Sequence, residues 1–309
     1  MKKVIATIAT LILAVCLVQA QDLAEITEIY NGGAASLQSG DKNAALEAFN
    51  KALNLATALG DEGKDVVANC QNAIPSVTLS LAKDLIKAKQ YDSAIEKLKA
   101  AVEVASKFNA ADVVEDANTL IPQVFIQKGT DILKTDPKAA AAAFQQALDI
   151  DATNGGAALR LGMALNAAGD TEAAISAFQK AAENGQEANA TKQISNIYLK
   201  SASAALKAKK YADAVDAALK ANDYVANPQA IQIAGQASQL AGKTADAIKY
   251  FTQYLEVAGS AANAGQIAYT VGALYQQSGN NAKAKEFYQK ASTDPKYGAE
   301  AKKMLDALK

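Results

Sequence analysis

Histidine is absent from this chain of 309 residues, and its absence excludes whole classes of catalytic site. Without imidazole there can be no Ser-His-Asp or Cys-His arrangement and no histidine metal site. The side chain that most readily exchanges protons near neutral pH is also missing. The sequence contains no metal-binding motif, nucleophile elbow or glycine-rich phosphate loop. We therefore expect no enzymatic activity, no catalytic residue, no metal and no cofactor.

Tryptophan is also absent, prolines number only 5, and aromatic residues make up 6% of the chain. Half of the residues are nevertheless apolar, so much of the apolar share is alanine. Alanine is the best helix former, and its small side chain lets two helices approach closely. The composition indicates closely packed helices and argues against sheets, which favour β-branched and aromatic residues.

Arginine occurs once, as Arg160, and the formal net charge is −1. Removal of Lys2 and Lys3 with an N-terminal segment, as argued below, would bring the net charge near −3. Nucleic-acid binding normally needs a basic face, usually with arginine. Lysines and acids alternate here, which is typical of a solvated helix surface. We expect no nucleic-acid partner.

Cysteine occurs twice, as Cys16 and Cys70. Cys70 shares a three- and four-residue spacing with Val66, Val67 and Ile74, which places it on the apolar face of a predicted helix. There it would act as a small buried hydrophobic residue. The alternative is a lone thiol that pairs with a partner in an oxidising compartment.

The N-terminus resembles a secretory signal peptide over residues 1–20. Lys2 and Lys3 form a basic start, Val4–Val18 is apolar, and a small residue, Ala20, precedes the expected cleavage site. The mature chain would begin at Gln21. The apolar run is too short to span a bilayer comfortably, and we expect no transmembrane segment in the mature chain. The sequence thus predicts export, with the periplasm as destination.

A second interpretation of the same segment makes Cys16 a lipid-attachment site. Leu13-Ala14-Val15-Cys16 weakly resembles a lipobox, but Val15 stands where a small residue is required. The polar break also follows Cys16 instead of preceding it. A lipid-anchored chain is therefore the alternative to cleavage after Ala20.

One pattern recurs along the rest of the chain: a small residue, an alanine twelve positions later, then a large residue and a second alanine. Clear copies are Gly33…Ala45…Phe49…Ala52, Gly162…Ala174…Phe178…Ala181, Gly235…Ala247…Phe251…Tyr254 and Gly272…Ala284…Tyr288…Ala291. Weaker copies are Ala82…Ala94…Leu98…Ala101 and Ala202…Ala214…Ala218…Ala221, together with Gly129…Ala140…Phe144…Ala147, which is one residue short in its turn. Antiparallel helices that cross closely need small residues at the crossing, and we expect the large residue to fill the gap between neighbouring hairpins.

The predicted turns contain the residues that end one helix and begin the next. Gly40-Asp41, Gly169-Asp170, Gly242-Lys243-Thr244 and Gly279-Asn280 combine a left-handed glycine with a capping Asp, Thr or Asn. Asp136-Pro137, Asn227-Pro228 and Asp294-Pro295 place a cap before proline at the first helical position.

These residues resemble the tetratricopeptide repeat (TPR) from about Ile26 to Lys296. The family's tryptophan near the start of each unit is absent, and its proline near the end is mostly missing. The resemblance implies an all-α, right-handed superhelical solenoid of about seven helical hairpins. It also implies a groove, lined by the first helix of each hairpin, in which partner peptides lie.

A longer period appears in the first half. The stretch from Asp65 to Ile74-Pro75 recurs 47 residues later, from Asp112 to Ile121-Pro122. The second and third units are therefore expected to carry extra helical turns, with a kink and no break at each proline. Residues 297–309 form a predicted capping helix. The sequence shows no linker-like stretch between the repeats, so residues 21–309 are predicted to form one solenoid.

The candidate partner-binding residues lie on the first helices of the sixth and seventh units. They are Gln229, Gln232, Gln236, Gln239, Gln266, Tyr269 and Gln276. Amides can both donate to and accept from a peptide backbone. The alternative is that these glutamines only keep an exposed helix face soluble.

The sequence therefore favours a non-catalytic scaffold or adaptor of the cell envelope that binds a protein or peptide. Export combined with an array of binding-type repeats supports this hypothesis. The alternative is a self-assembling structural protein of the envelope, in which weak contacts between copies join the ends of the solenoid.

Overall fold

The computed structural model describes residues 22–308, and these residues form α-helices joined by short turns, with no β-strand among them. The helices fall into two units, one ending at Thr153 and one beginning at Asn154. In the first unit the helices span residues 22–38 (α1), Lys42–Leu59 (α2), Lys64–Lys87 (α3), Tyr91–Lys107 (α4), Ala111–Ile132 (α5) and Pro137–Ile150 (α6). They pair as three antiparallel hairpins, with a 3₁₀ turn at Gly60–Gly63.

The second unit contains four hairpins and a final helix. Its helices are Gly155–Ala168 (α7), Thr171–Ala181 (α8), Glu187–Lys207 (α9), Tyr211–Tyr224 (α10), Pro228–Leu240 (α11), Thr244–Ala258 (α12), Ala264–Gln277 (α13), Asn281–Ala291 (α14) and Gly298–Ala307 (α15). A kinked segment, Ala182–Gln186, joins α8 to α9, and the backbone leaves the helical conformation at Asn184 and Gly185. The predicted all-α fold of helical hairpins is confirmed.

The residues of the repeating pattern form the core of every hairpin. Both alanines of the pattern are fully buried in each copy that has them, as in Ala174 and Ala181, at 0% exposure. The large residue is buried with them, and Phe178 is 1% exposed. The twelve-residue spacing thus marks the helix–helix contact of each hairpin.

The large residue packs between hairpins and also against the glycine of its own hairpin. Phe251, for example, shares a buried cluster with Ala218 of the preceding hairpin and Val271 of the following one. A Cβ placed on Gly162 would stand 2.6 Å from Cδ1 of Phe178, and one on Gly272 would stand 2.7 Å from Cδ1 of Tyr288. The glycine is required because the ring occupies the volume that any side chain would need.

Most of the predicted turns are confirmed. Gly169 takes the left-handed conformation (φ 90°), and Asp170 accepts a hydrogen bond from the Ala173 N–H at the start of α8. Glycine is suited to this φ because it has no Cβ. Asp41, Asn280, Asp136 and Asn227 cap their helices in the same way.

Two predicted helix starts were wrong. Thr244 is the first residue of α12, and the N-cap position falls on Lys243, which makes no side-chain capping bond. Pro295 lies in a turn, and α15 begins three residues later at Gly298. The Asp294 carboxylate is bonded within this turn, where it accepts the N–H groups of Lys296 and Tyr297.

Helices α3 and α5, of 24 and 22 residues, run without a break through Pro75 and Pro122. Cys70 lies on the buried face of α3 at 0% exposure, as its spacing predicted. Burial raises the pKa of its thiol to about 11, which disfavours the reactive thiolate. This agrees with a packing role for Cys70.

Residues 1–21 lie outside the described residues, and so do the predicted signal peptide, its cleavage site and Cys16. One continuous superhelical solenoid over residues 21–309 stays a prediction, and each unit is considered separately below.

Candidate partner-binding surface

Helix α11 presents the four predicted glutamines opposite its packing face. Asn227 caps the helix, Pro228 fills its first position, and the buried side is formed by small and β-branched residues, Ile231 and Ile233 among them. Gln229 and Gln239 are exposed. A residue of α11 either packs inward or points toward water according to its position in the 3.6-residue period.

Gln232 and Gln236 are half-buried, and their amides have no hydrogen-bond partner among the described residues. The same is true of the exposed amides of Gln229, Gln239 and Gln266. Some glutamine amides elsewhere are engaged, since Gln145 donates to Asp149 at 2.8 Å and Gln179 donates to Tyr224 at 3.1 Å. Others, such as the exposed amide of Gln253, are free as well. We call the five predicted residues of α11 and α13 whose amides are free, Gln229, Gln232, Gln236, Gln239 and Gln266, the glutamine surface.

Helix α13 places the other predicted residues in a different setting. Tyr269 is half-buried among Tyr288 and Tyr297, with ring centroids 5.5 and 5.8 Å away. Gln276 accepts a hydrogen bond of 2.7 Å from the Tyr288 hydroxyl. Burial, with a smaller contribution from Tyr269, raises the pKa of Tyr288. Tyr269 and Gln276 therefore support the packing of the last hairpin, in addition to any contact with a partner.

Helices α11 and α13 belong to one buried core. Ile231 and Ile233 of α11 pack in the same cluster as Val271 and Leu274 of α13 and Phe251 of α12. The glutamine surface is thus carried by rigid elements, which suits a binding site because little order has to be gained on binding.

A cleft of about 730 Å³ between α12, α13 and α14 was not predicted. Leu255 and Glu256 line it from α12, Ala268 from α13, and Glu286 and Phe287 from α14. The longer turn at residues 259–263 was the available signal, since it separates α12 from α13 more widely than the tight turns do.

One wall of this cleft carries a charged triad. The Glu286 carboxylate accepts hydrogen bonds from Lys283 at 2.8 Å and from Lys290 at 2.9 Å. Lys283, and then Lys290, lower the pKa of Glu286 to about 2. The carboxylate is bonded by both lysines, and the triad keeps a net positive charge on this wall of the cleft.

Two negative findings apply to the described residues, 22–308. They contain no group of three His, Cys, Asp or Glu side chains placed to hold a metal ion. None of their helices is long and apolar enough to cross a membrane.

Comparison with known proteins agrees with the hairpin fold. Residues 132–194 match one tetratricopeptide-repeat family model, and residues 265–293 match a second. No curated protein matches the chain in sequence.

Solved structures that align with this chain include MamA, YrrB and the P58(IPK) TPR domain. MamA is 19% identical, with 58% of this chain and 94% of that chain covered at a TM-score of 0.34. YrrB, described as a TPR protein with an unusual peptide-binding site, is 20% identical, with 58% and 91% covered at 0.33. The P58(IPK) TPR domain is 14% identical, with 92% and 97% covered at 0.31.

The hairpins and their buried pattern define an all-α helical-repeat protein. The two family matches identify tetratricopeptide repeats in residues 132–194 and 265–293 of the chain. Proteins of this family are generally protein-interaction scaffolds.

Proposed function

We propose that this protein is an exported, non-catalytic scaffold or adaptor that binds a protein or peptide partner through the glutamine surface. One observation carries the proposal: five amides on the first helices of two successive hairpins have no partner within the described residues. Free amides can pair with the N–H and C=O groups of an extended peptide. They do not titrate near neutral pH, so they suit binding better than proton transfer.

The N-terminal pattern over residues 1–20 supports export to the cell envelope, which belongs to the proposal. The partner would therefore be an envelope protein. The glutamine surface lies on helices that are packed into a core. We therefore expect the partner to bind with a flexible, extended segment of its own chain.

The proposal is tested by affinity capture from an envelope extract of the source organism, with the chain from Gln21 to Lys309 as bait. A Gln236→Glu variant introduces a charge on the glutamine surface, and a matched Gln253→Glu variant introduces the same charge on the exposed side of α12. We expect the wild type and the Gln253→Glu variant to capture the same small set of proteins, and the Gln236→Glu variant to lose it. Equal capture by all three, or by none, would contradict the role of this surface.

Self-assembly is tested in parallel by light scattering of the same chain. A monomer mass at all concentrations supports the scaffold, and a mass that rises with concentration supports the structural alternative.

A further inference from the structure

The hairpins of the first unit are joined by ion pairs that recur with the 47-residue period of the sequence. Lys42, at the start of α2, pairs with Asp84 of α3. Lys89, in the turn after α3, pairs with Asp131 of α5 at 2.9 Å, and both residues lie 47 positions after their counterparts. Each pair links one hairpin to the next, because α2 ends the first hairpin, α3 and α4 form the second, and α5 begins the third. The period thus repeats a contact between hairpins as well as the helices themselves.

The contact at Asp131 is reinforced by its neighbours. The Asp131 carboxylate also accepts a hydrogen bond of 2.8 Å from the Tyr91 hydroxyl. Lys89, and then Tyr91, hold the pKa of Asp131 below its usual range, so the carboxylate remains charged. Lys128 of α5 pairs in the opposite direction with Asp92 of α4. Single exposed ion pairs contribute little to stability, but several that act on the same junction contribute together.

Ion pairs are arranged differently in the second unit. Those between its described residues join side chains of a single helix, namely Lys220 with Asp216, Lys283 and Lys290 with Glu286, and Lys303 with Glu300. In the first unit a further pair, Lys83 with Asp116 at 3.1 Å, again joins two hairpins. Among the described residues, lysine–aspartate pairs between hairpins are therefore a property of the first unit.

One turn of the second unit matches the Lys89 turn but faces no acid. Residues 87–91 and 207–211 have the same sequence except that Gln90 is replaced by Lys210. Lys89 and Lys209 both take the left-handed conformation, with φ of 58° and 60°, and the N–H groups around them form the same pattern of hydrogen bonds. Helix α11 has Ala237 where α5 has Asp131, each two residues after the glycine of the repeating pattern. The two turns therefore share a backbone and differ in the ion pair.

We propose that Asp84 and Asp131, the bridging aspartates, make the stacking of the hairpins in the first unit dependent on ionic strength. At low salt each carboxylate holds a lysine of the preceding hairpin against the next first helix. Dissolved ions weaken the attraction between exposed charges, and at about 1 M salt the Debye length falls to about 3 Å, comparable to the length of these contacts. The second unit lacks such pairs and keeps its stacking. This conformational response goes beyond the binding function proposed above, because it belongs to the unit without the glutamine surface.

The first test is backbone hydrogen exchange of the chain from Gln21 to Lys309, in low salt and in about 1 M salt. We expect the amides of residues 88–90 to exchange about two- to fivefold faster at high salt, in line with the strength of exposed ion pairs. The amides of residues 208–210 are the internal control and should change little, because they have the same hydrogen bonds and no opposing acid. An equal response of the two turns would overturn the proposal.

The second test removes one charge and keeps the shape of the side chain. In low salt, Asp131→Asn should exchange at residues 88–90 as fast as the wild type does at high salt, and it should no longer respond to salt. Asp84→Asn should have the same effect at residues 39–41. Asp216→Asn, which breaks a pair within α10, is the matched control and should leave both turns unchanged. A salt response that persists without the Asp131 charge would contradict the role of this carboxylate.

Failure of this proposal is distinguishable from failure of the glutamine surface. Asp131→Asn should capture the same envelope proteins as the wild type, because the glutamine surface lies in the second unit. Gln236→Glu should keep the salt response of residues 88–90. The two variants therefore test the two proposals independently.

Glycine substitutions separate the ion pair from the backbone conformation. Lys209→Gly should raise the urea midpoint of unfolding, because glycine suits the left-handed position after a helix. Lys89→Gly gains the same relief but loses the pair with Asp131, so we expect a smaller rise in low salt. In about 1 M salt the two variants should agree. A difference of the same size at both salt concentrations would overturn the electrostatic explanation.

Discussion

At the scale of single residues, the fold depends on a glycine that faces an aromatic ring. Hypothetical Cβ atoms on Gly129, Gly162, Gly235 and Gly272 would stand 2.6 to 2.8 Å from the ring of their own hairpin. Real Cβ contacts are longer, so each site would have to expand. The aromatic residue and the glycine form one steric unit, in which the ring fills the volume left by the absent side chain.

Replacing Gly162 with alanine should therefore destabilise the protein by about 1–3 kcal/mol, because the Phe178 ring is fully buried and must move. Gly156 on the same helix provides the control, since its nearest neighbours would stand 3.4 Å from a Cβ. We expect Gly156→Ala to stabilise by up to ~1 kcal/mol through helix propensity. Urea unfolding measures both, and equal effects of the two variants would contradict the steric explanation.

At the scale of helices, the residues that begin each helix differ more from one helix to the next than the buried residues of the helix interiors. Asp or Asn caps six of the described helices, α8 and α14 among them, whereas α10 and α12 belong to the helices without a side-chain cap and begin after lysine. Lysine cannot accept a hydrogen bond, so these two helices forgo a stabilising contact.

Lys243→Asn should supply the missing cap and stabilise the protein by about 0.5–1 kcal/mol. Chemical denaturation measures the gain. Lys249→Asn, within the same helix, is the control and should lower stability because asparagine is a weaker helix former than lysine. If the two variants changed stability in the same direction, the cap at Lys243 would not be the cause.

The triad on α14 predicts a pH dependence. Ion pairing lowers the pKa of Glu286 from 4.5 to about 2, so its stabilising contribution is fully present above pH 4.5. The contribution is lost as pH falls from 4.5 towards 2, because the unfolded carboxyl group protonates first. The free energy of unfolding of the wild type should thus exceed that of Glu286→Gln at pH 7, and the difference should shrink across this window. A difference that stays constant with pH would contradict the pairing.

At the scale of the whole molecule, the chain contains three hairpins up to Thr153, and four hairpins with a final helix from Asn154 within the described residues. The glutamine surface lies in the second unit, on the first helices of two successive hairpins.

Export is the prediction that belongs to the entire chain. When the complete sequence is expressed in a bacterial host, the purified protein should have the mass of residues 21–309. Ala20→Leu should block cleavage, because the site requires a small residue. Retention of residues 1–20 would contradict the signal peptide, and a lipid-sized mass on Cys16 would favour the anchored alternative.

The sequence alone predicted the hairpins well because their signals are local. Alanine and the twelve-residue spacing identify the helix contacts, and Gly169-Asp170 marks a turn through its own backbone preference. The prediction failed where the same residues are compatible with either a helix start or a turn. Asp294-Pro295 has the residues of a helix start, but the Asp294 carboxylate bonds within the turn and α15 begins later.

The candidate site was only partly predictable. The helical period placed Gln232 and Gln236 on one face of α11. This prediction needs only the spacing within one helix and no knowledge of the other helices. That Gln276 is bonded to Tyr288, whereas Gln236 is free, could not be predicted, since it depends on a side chain twelve residues away on another helix.

The sequence by itself determined the helical class, the repeat, the residues of the core and the inertness expected of Cys70, because composition, period and turn chemistry act over a few residues. Only the tertiary structure decided which aromatic ring fills which glycine site, which amides remain free and where a cleft opens between α12, α13 and α14. These properties arise where side chains from separate helices meet, and sequence spacing within one helix does not specify such meetings.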